Sequence, residues 1–265
     1  MSWPRMGKAM NKIDKELSPA YLEKIRQSLL NLYKNELGLK NVEKRIESRI
    51  NRERGKAVIE KLDGLIPIRN KTVLDIGCGW GEFTFEATQK GANAYGIEPD
   101  SELLEISVLL LGKQSRFVKA RAEALPFREE KFDIVICNSV IEHVKDISVS
   151  LEEMIRVLRK GGYLYLLAPN YLYPYEGHYK TRWIPLLPKP LAKIYLRLIG
   201  RNPKFIQHIN YNSNYFYLAR KLKRNDVVVW NLMMEQPKHF LKRLIIALRI
   251  YAFFIPNIEV LIRKI

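Results

Sequence analysis

Between Lys71 and Ala168 the chain alternates short apolar runs with segments of helical period. The runs at 72–76, 93–98, 116–119, 132–137 and 162–168 are the length of strands and carry strand-forming residues. Between them, 81–90, 101–112 and 146–159 repeat apolar positions at helical spacing. Strands alternating with helices predict an α/β fold, a doubly wound and mostly parallel sheet covered on both faces. Ahead of this region, residues 12–63 read as helices, with an apolar stripe at Leu29, Leu30, Leu32 and Tyr33. A charged helix follows from Arg45 to Lys61, with apolar residues at Ile46, Ile50, Ala57 and Val58.

Past Pro169 the texture changes. Residues 169–190 hold Pro169, Pro174, Pro185, Pro188 and Pro190 among Tyr171, Tyr173, Tyr175, Tyr179 and Trp183. Prolines at that density exclude a long helix, and the aromatic content predicts an ordered lid or insertion. Helices are expected at 191–199 and 213–223 and a strand at 226–231. The last segment, Lys238 to Ile262, reads as a basic apolar helix with a break at Pro256. The expected division is an N-terminal helical cap (1–69), a core (70–170), an acceptor-binding insertion (171–225), and a final strand with a basic apolar C-terminal helix (226–265).

Charge sharpens this division. The 265 residues carry a formal net charge of +17, distributed as +7 over residues 1–70, −3 over 71–180 and +13 over 181–265. A slightly acidic middle between basic flanks predicts an anionic partner for the flanks. The two cysteines, Cys78 and Cys137, lie apart in apolar runs. That spacing forms no disulfide framework and no zinc motif, which points to a reducing, cytoplasmic setting. The N-terminus shows no apolar leader segment, and no run reaches the ~18 residues of a membrane span.

The chemistry is concentrated in VLDIGCGWGEF, Val73 to Phe83. An apolar strand ends in Asp75, the loop alternates Gly77, Cys78, Gly79, Trp80 and Gly81, and a helix begins. Glycines belong where backbone turns tightly and where a ligand presses on it. A strand's carboxyl end meeting a helix N-terminus is the usual crevice of an open α/β sheet. A second strand ends in Glu98, 17 residues after Gly81, and an acid there is placed to accept hydrogen bonds from two ribose hydroxyls.

The D-x-G-x-G-x-G spacing resembles motif I of the class I S-adenosylmethionine-dependent methyltransferases, which have a Rossmann-like fold. YGIEPD, AEALPF, FDIVICNSVIEHV and LEEMIRVLRKGGYLYLLAPN follow in the order and spacing of the branch called methyltransferase type 11. The resemblance covers about residues 70–170. It implies S-adenosylmethionine as cofactor and S-adenosylhomocysteine as product. It implies that Asp75 holds the methionine ammonium, that the loop Gly77–Gly81 lines methionine and ribose, and that Glu98 binds the ribose hydroxyls. It implies that Pro99, Ala122 and Glu123 lie by the adenine and that Asn138 lines the methionine end. Arg121 departs from the pattern, standing where the family commonly has an acid facing the adenine amino group.

In-line displacement at a sulfonium asks the protein to position a nucleophile and exclude water, so no metal is expected. The candidate acid–base residues are His178, His143 and Tyr179, in or beside the aromatic insertion. Tyrosine and tryptophan faces with charged tips suit a carbohydrate, and a basic apolar tail suits an anionic membrane surface. The leading expectation is therefore O-methylation of a lipid-linked or surface glycan, peripheral to the membrane, with residues 238–262 as the contact. Alternatives are a quinone- or isoprenoid-like small molecule, RNA, and a non-enzymatic cofactor-binding membrane adaptor. Against nucleic acid, no separate RNA-binding module is legible.

Overall fold

The structure, a computed structural model, describes residues 18–111, 116–232 and 250–265. Helix α1 (Pro19–Leu30) begins on Ser18, whose Oγ accepts from the Tyr21 N–H (3.2 Å), with proline at the first helical position. It runs on as a π-helical turn over Asn31–Glu36. Helices α2 (Glu43–Ile50) and α3 (Glu53–Leu65) are separated by Arg52, whose left-handed backbone (φ 54°) breaks the helical path.

The core then alternates as the sequence predicts: β1 (Thr72–Ile76), α4 (Glu82–Gln89), β2 (Asn93–Ile97), α5 (Ser101–Leu111), β3 (Arg116–Val118), β4 (Phe132–Asn138), α6 (Ile147–Val157) and β5 (Leu158–Pro169). The Asp146 carboxylate caps α6 by accepting from the Ser148 and Val149 N–H groups. Strand β5 starts four residues before the expected 162. It takes in the Gly161-Gly162 turn, and the pairing with β4 slips register between Phe132 and Ile134. Gly162 is required there, because a Cβ would lie 2.9 Å from the carbonyl oxygens of Arg159 and Asp133.

The insertion holds a short hairpin, β6 (Tyr175–Glu176) with β7 (Thr181–Arg182), then α7 (Lys189–Leu198), a 3-10 turn over Pro203–His208, and α8 (Tyr215–Lys221). Two strands complete the sheet, β8 (Val227–Asn231) and β9 (Asn257–Lys264), giving the order β3-β2-β1-β4-β5-β9-β8. The first five are mutually parallel, and β9 runs antiparallel to both β5 and β8.

Strand β9 corrects the expected C-terminal helix. Residues Asn257–Lys264 are extended, and Ile258, Val260 and Ile262 alternate onto one face of the sheet. Glu259 turns to the other face, where it accepts from the Tyr165 hydroxyl (2.6 Å) and the Lys61 ammonium (2.5 Å). The open edge of β5 needs backbone partners, and β9 supplies them over seven register pairs. Residues 258–262 of the expected membrane contact are buried there in the sheet, whereas Phe253 and Phe254, at the end of a 3-10 turn over Ile250–Phe253, are exposed; residues 238–249 lie outside the described residues, as does the start of the expected N-terminal helices at 12–17.

One apolar core joins β1, β4 and β5 to α6 and α8, and another joins the opposite sheet face to α3 and α4. The third core was not foreseen. Tyr21, Ile25 and Leu29 of α1 and Ile46 of α2 pack with Tyr171, Tyr179, Trp183, Leu196 and Ile206. The N-terminal helices and the insertion therefore form one cap over the carboxyl ends of the strands.

Candidate active site

Strand β1 delivers Asp75 to the sheet's carboxyl end, and the loop to α4 turns through Gly77, Gly79 and Gly81, all at positive φ. A Cβ on Gly77 would meet Val140 Cγ2 at 2.7 Å, whereas one on Gly79 would meet nothing within 4 Å. The loop is thus pinned on its inner side and open where a ligand would lie. The Cys78 thiol is buried beneath Gly96 and raised well above its ordinary pKa by that burial; Cys78 contributes its backbone, its N–H donating to Ile97 O at 2.9 Å.

The acids around the loop are buried and only partly satisfied. Asp75 Oδ2 accepts from the Thr84 hydroxyl at 2.8 Å, while Oδ1 has no partner. Burial pushes its carboxyl up to about 7. Glu98 accepts from the Gly79 and Asp100 N–H groups, each at 3.0 Å, and so ties the end of β2 to the loop. Burial raises its pKa too, opposed by those two bonds.

Asn138, at the end of β4, is buried, with its amide Nδ2 unpartnered. Its Oδ1 accepts from Arg54, which also donates to Ser139 Oγ at 2.7 Å. Arg54 is the residue missed from sequence. It sits on α3, its pKa lowered by burial, and among the described residues no carboxylate hydrogen-bonds to it. Its neighbour Gly55 is the one available signal, since a Cβ there would lie 3.0 Å from Glu82 O. Nearby, Arg49 pairs with Glu82, and Arg52 with Glu86 at 2.9 Å, clamping α2 and α3 to α4.

Around the open glycine loop there are thus an unpartnered acid oxygen, an unpartnered amide N–H and a guanidinium that hydrogen-bonds only neutral groups among the described residues. That donor and acceptor set complements an amino-acid tail with its ammonium and carboxylate, and Glu98 suits a diol.

Pro99, Ala122 and Glu123 come together. With Gly77, Ile97, Arg121, Val140 and His143 they line a cleft of about 70 Å³. The Glu123 carboxylate accepts from the Lys145 N–H at 2.7 Å. Arg121 and His143 also line a second, larger cleft of about 610 Å³, together with Lys145, Lys189, His208, Asn210 and Tyr211. The departure at Arg121 therefore puts a cation on the border of the second cleft.

Of the three candidate acid–base residues, only His143 reaches this border. Burial pulls its pKa down. His178 lies behind it, ring centroids 5.4 Å apart, and hydrogen-bonds through Nδ1 to Glu176 Oε1 at 2.7 Å. Burial works against its protonation, but the Glu176 bond and charge outweigh it and raise the pKa. Tyr179 is fully enclosed in the cap and lines neither cleft, and burial pushes its phenol up, so its side chain does not meet the site as expected.

Residues 74–166 match the family model described as a methyltransferase domain. Over 134 residues the chain is 34% identical to an uncharacterized methyltransferase of Mycolicibacterium vanbaalenii, covering 50% of this chain and 52% of that one. Another from Mycolicibacterium gilvum is 36% identical over 137 residues, 51% of this chain and 54% of its own length. The chain thus spans about half the length of these curated relatives. Among solved structures, an S-adenosylmethionine-dependent methyltransferase from Mesorhizobium loti superposes with TM-score 0.54 at 16% identity, covering 77% of this chain and 96% of that one. The YcgJ protein of Bacillus subtilis does so with TM-score 0.54 at 17% identity, covering 80% and 98%. These two establish the likeness of fold. Sequence match, sheet order and glycine loop agree: residues 74–166 are a methyltransferase domain, on a fold like that of the S-adenosylmethionine-dependent methyltransferase from Mesorhizobium loti.

Proposed function

We propose that this chain methylates a hydroxyl of a glycan carried on a phosphate-linked lipid, at an anionic membrane surface. The observation that carries this reading is the larger cleft. Arg121, Lys145 and Lys189 line it with His143, His208, Gln207, Asn210 and Asn212, and no carboxylate is among its lining residues. Three cations and many hydrogen-bonding side chains suit a phosphorylated polyhydroxyl acceptor. A quinone or isoprenoid head would call for an apolar wall.

The membrane part of the reading rests on α7 rather than on the C-terminus. Leu191, Ile194 and Leu198 recur on one exposed face of α7, Leu198 being 81% exposed, and Ile184 and Leu186 precede it. Lys193 and Arg197 lie among them, and no acid occurs between Glu176 and Asp226. A helix apolar on one side and cationic beside it suits the interface of an anionic bilayer. Lys189, its first residue, also lines the cleft. No helix among the described residues is long and apolar enough to cross a membrane.

In this reading Asp75 holds the ammonium of the cofactor, Arg54 and the Asn138 amide N–H its carboxylate, and Glu98 its ribose diol. Bound S-adenosylmethionine supplies an electrophilic methyl on a sulfonium. The chain's own work is positioning: the glycine loop and Val140 fix one side, and His143 marks the border where the acceptor hydroxyl meets it. The cap over the strand ends excludes water from that border.

Incubation of the full chain with methyl-labelled cofactor and a membrane lipid extract tests the reading. Label is expected in the phosphate-bearing glycolipid fraction. Label confined to RNA or to the neutral quinone fraction overturns it.

A further inference from the structure

Behind the border of the larger cleft lies a cluster outside the cofactor pocket. Glu142 follows β4 and is fully buried, yet among the described residues neither of its carboxylate oxygens has a hydrogen-bond partner. An ionised acid in that state is costly unless a cation joins it. Its neighbours are two imidazoles. His143 Nε2 lies 3.9 Å from Glu142 Oε1, and one donor atom from each of Glu142, His143 and His178 lies within 4.8 Å of the others.

Each imidazole is oriented through its other nitrogen. His178 Nδ1 is bonded to Glu176 Oε1 at 2.7 Å, and His143 Nδ1 faces His208 O at 3.2 Å. A carboxylate on one ring and a backbone carbonyl on the other fix Nδ1 as the protonated nitrogen and leave Nε2 basic. That is the second-layer arrangement of metal-binding histidines. Phe205 packs against both rings, with centroids 5.6 Å from His143 and 5.1 Å from His178, and holds them in place.

We propose that Glu142, His143 and His178 bind one divalent transition-metal cation at the inner border of the acceptor cleft. Two imidazole nitrogens and one carboxylate suit zinc, cobalt, manganese or iron better than magnesium or calcium. Bonds of about 2.1 Å in a tetrahedral set place donors roughly 3.4 Å apart, so binding draws the cluster inward by under ~1.5 Å. Three protein ligands leave a position open toward the cleft. An acceptor hydroxyl entering it from the larger cleft is polarised, and as its oxygen takes the methyl its proton leaves on the cleft side, to the water that fills the cleft; this last role rests on the function proposed above, whereas the binding site does not.

The test is titration of the metal-stripped full chain with Co²⁺ and with Zn²⁺, alongside calorimetry with S-adenosylhomocysteine. One equivalent of Co²⁺ is expected, with a visible d–d band, and Zn²⁺ displaces it and raises the melting temperature. Glu142→Gln, which keeps the side chain's shape, and His178→Ala should each weaken Co²⁺ binding at least tenfold and leave product-nucleoside affinity unchanged. Failure of the unmodified chain to take up an equivalent overturns the proposal, as does uptake indifferent to both substitutions. Because S-adenosylhomocysteine is titrated separately, a chain that binds it without metal sinks the cation site alone. A chain that binds metal but not the nucleoside sinks the methyltransferase reading alone.

Discussion

Replacing Asp75 by asparagine should stabilise the protein without cofactor and remove most of its cofactor affinity. Asp75 is 1% exposed, and its carboxyl is raised from 3.8 to about 7, chiefly by burial. The folded value lies above the unfolded one. Folding therefore favours the neutral acid, and the contribution is intact below about pH 4 and lost as pH rises through about 7. A rise of roughly three pH units, at 1.36 kcal/mol each, costs the folded state about 4 kcal/mol once the group is ionised. Asparagine has the same shape and can still accept from Thr84, but it does not titrate. Between pH 5 and pH 8 the stability gap between variant and parent should widen by roughly 2–3 kcal/mol. For a chain of this size that is about 5–10 °C in melting temperature. Thermal melts from pH 5 to 8 read the gap directly. S-adenosylmethionine should then raise the parent's melting temperature at pH 8 and leave the Asp75→Asn protein nearly unmoved. A gap that stays constant with pH would show that Asp75 does not titrate in this window, and the argument from burial would fail.

Three further outcomes follow from the same geometry. Gly77→Ala should lower stability by roughly 2–4 kcal/mol and abolish nucleoside binding, since it combines positive φ with a 2.7 Å approach to Val140 Cγ2; adding Val140→Ala should recover part of the melting temperature, read by calorimetry. Glu98→Gln should weaken S-adenosylhomocysteine by about tenfold or more in a binding titration, because the buried acid loses the charge that strengthens its bonds to ribose hydroxyls. Glutamate at Ile194 and Leu198 should abolish flotation with anionic vesicles at low salt and spare nucleoside affinity, because both residues are exposed on α7; vesicle binding unchanged by these charges would remove α7 as the membrane contact.

The parts of the site legible in the sequence are those fixed by local backbone. The glycine loop, Asp75 and Glu98 announce themselves because a tight turn, a strand end and an acid occur within a few residues of one another. Strand β9 was not legible, since a short apolar run serves a buried strand or a helix equally well. The clue lay in Ile258, Val260 and Ile262 alternating around Glu259, which acquires meaning only when Tyr165 and Lys61 are beside it. Arg54 reads as one charge on a charged helix until α3 packs against β4's end. His178 and Glu142 stand 36 positions apart, and only the seating of the insertion on the N-terminal helices brings them together. The apolar stripe of α1 had no visible partner in its own segment, and the aromatic run after Pro169 had none either; each is the other's partner.

The charges of the site divide by side, and the division bears on what can bind. Asp75 stands on β1 and Glu142 shortly after β4, each buried and each with at least one oxygen unpartnered; Glu82, which opens α4, has one oxygen on Arg49 and the other unpartnered. Arg121, Lys145 and Lys189 stand along the larger cleft, with His143 between the two groups. The buried Asn170, by contrast, is spent: it donates to Ala252 and Ile255 carbonyls and accepts from the Leu172 and Tyr215 N–H groups. Unpaired buried acids destabilise a fold, so their concentration at one end marks where bound cations compensate. A sulfonium with an ammonium meets that need on the loop side. An acceptor approaching from the cleft side meets opposite field, so an anionic one is drawn in while a cationic one is repelled. Selectivity for an anionic acceptor therefore follows from the same partition of charge that holds the cofactor, and raising the salt concentration should weaken acceptor binding through the exposed cations more than cofactor binding through the buried acids.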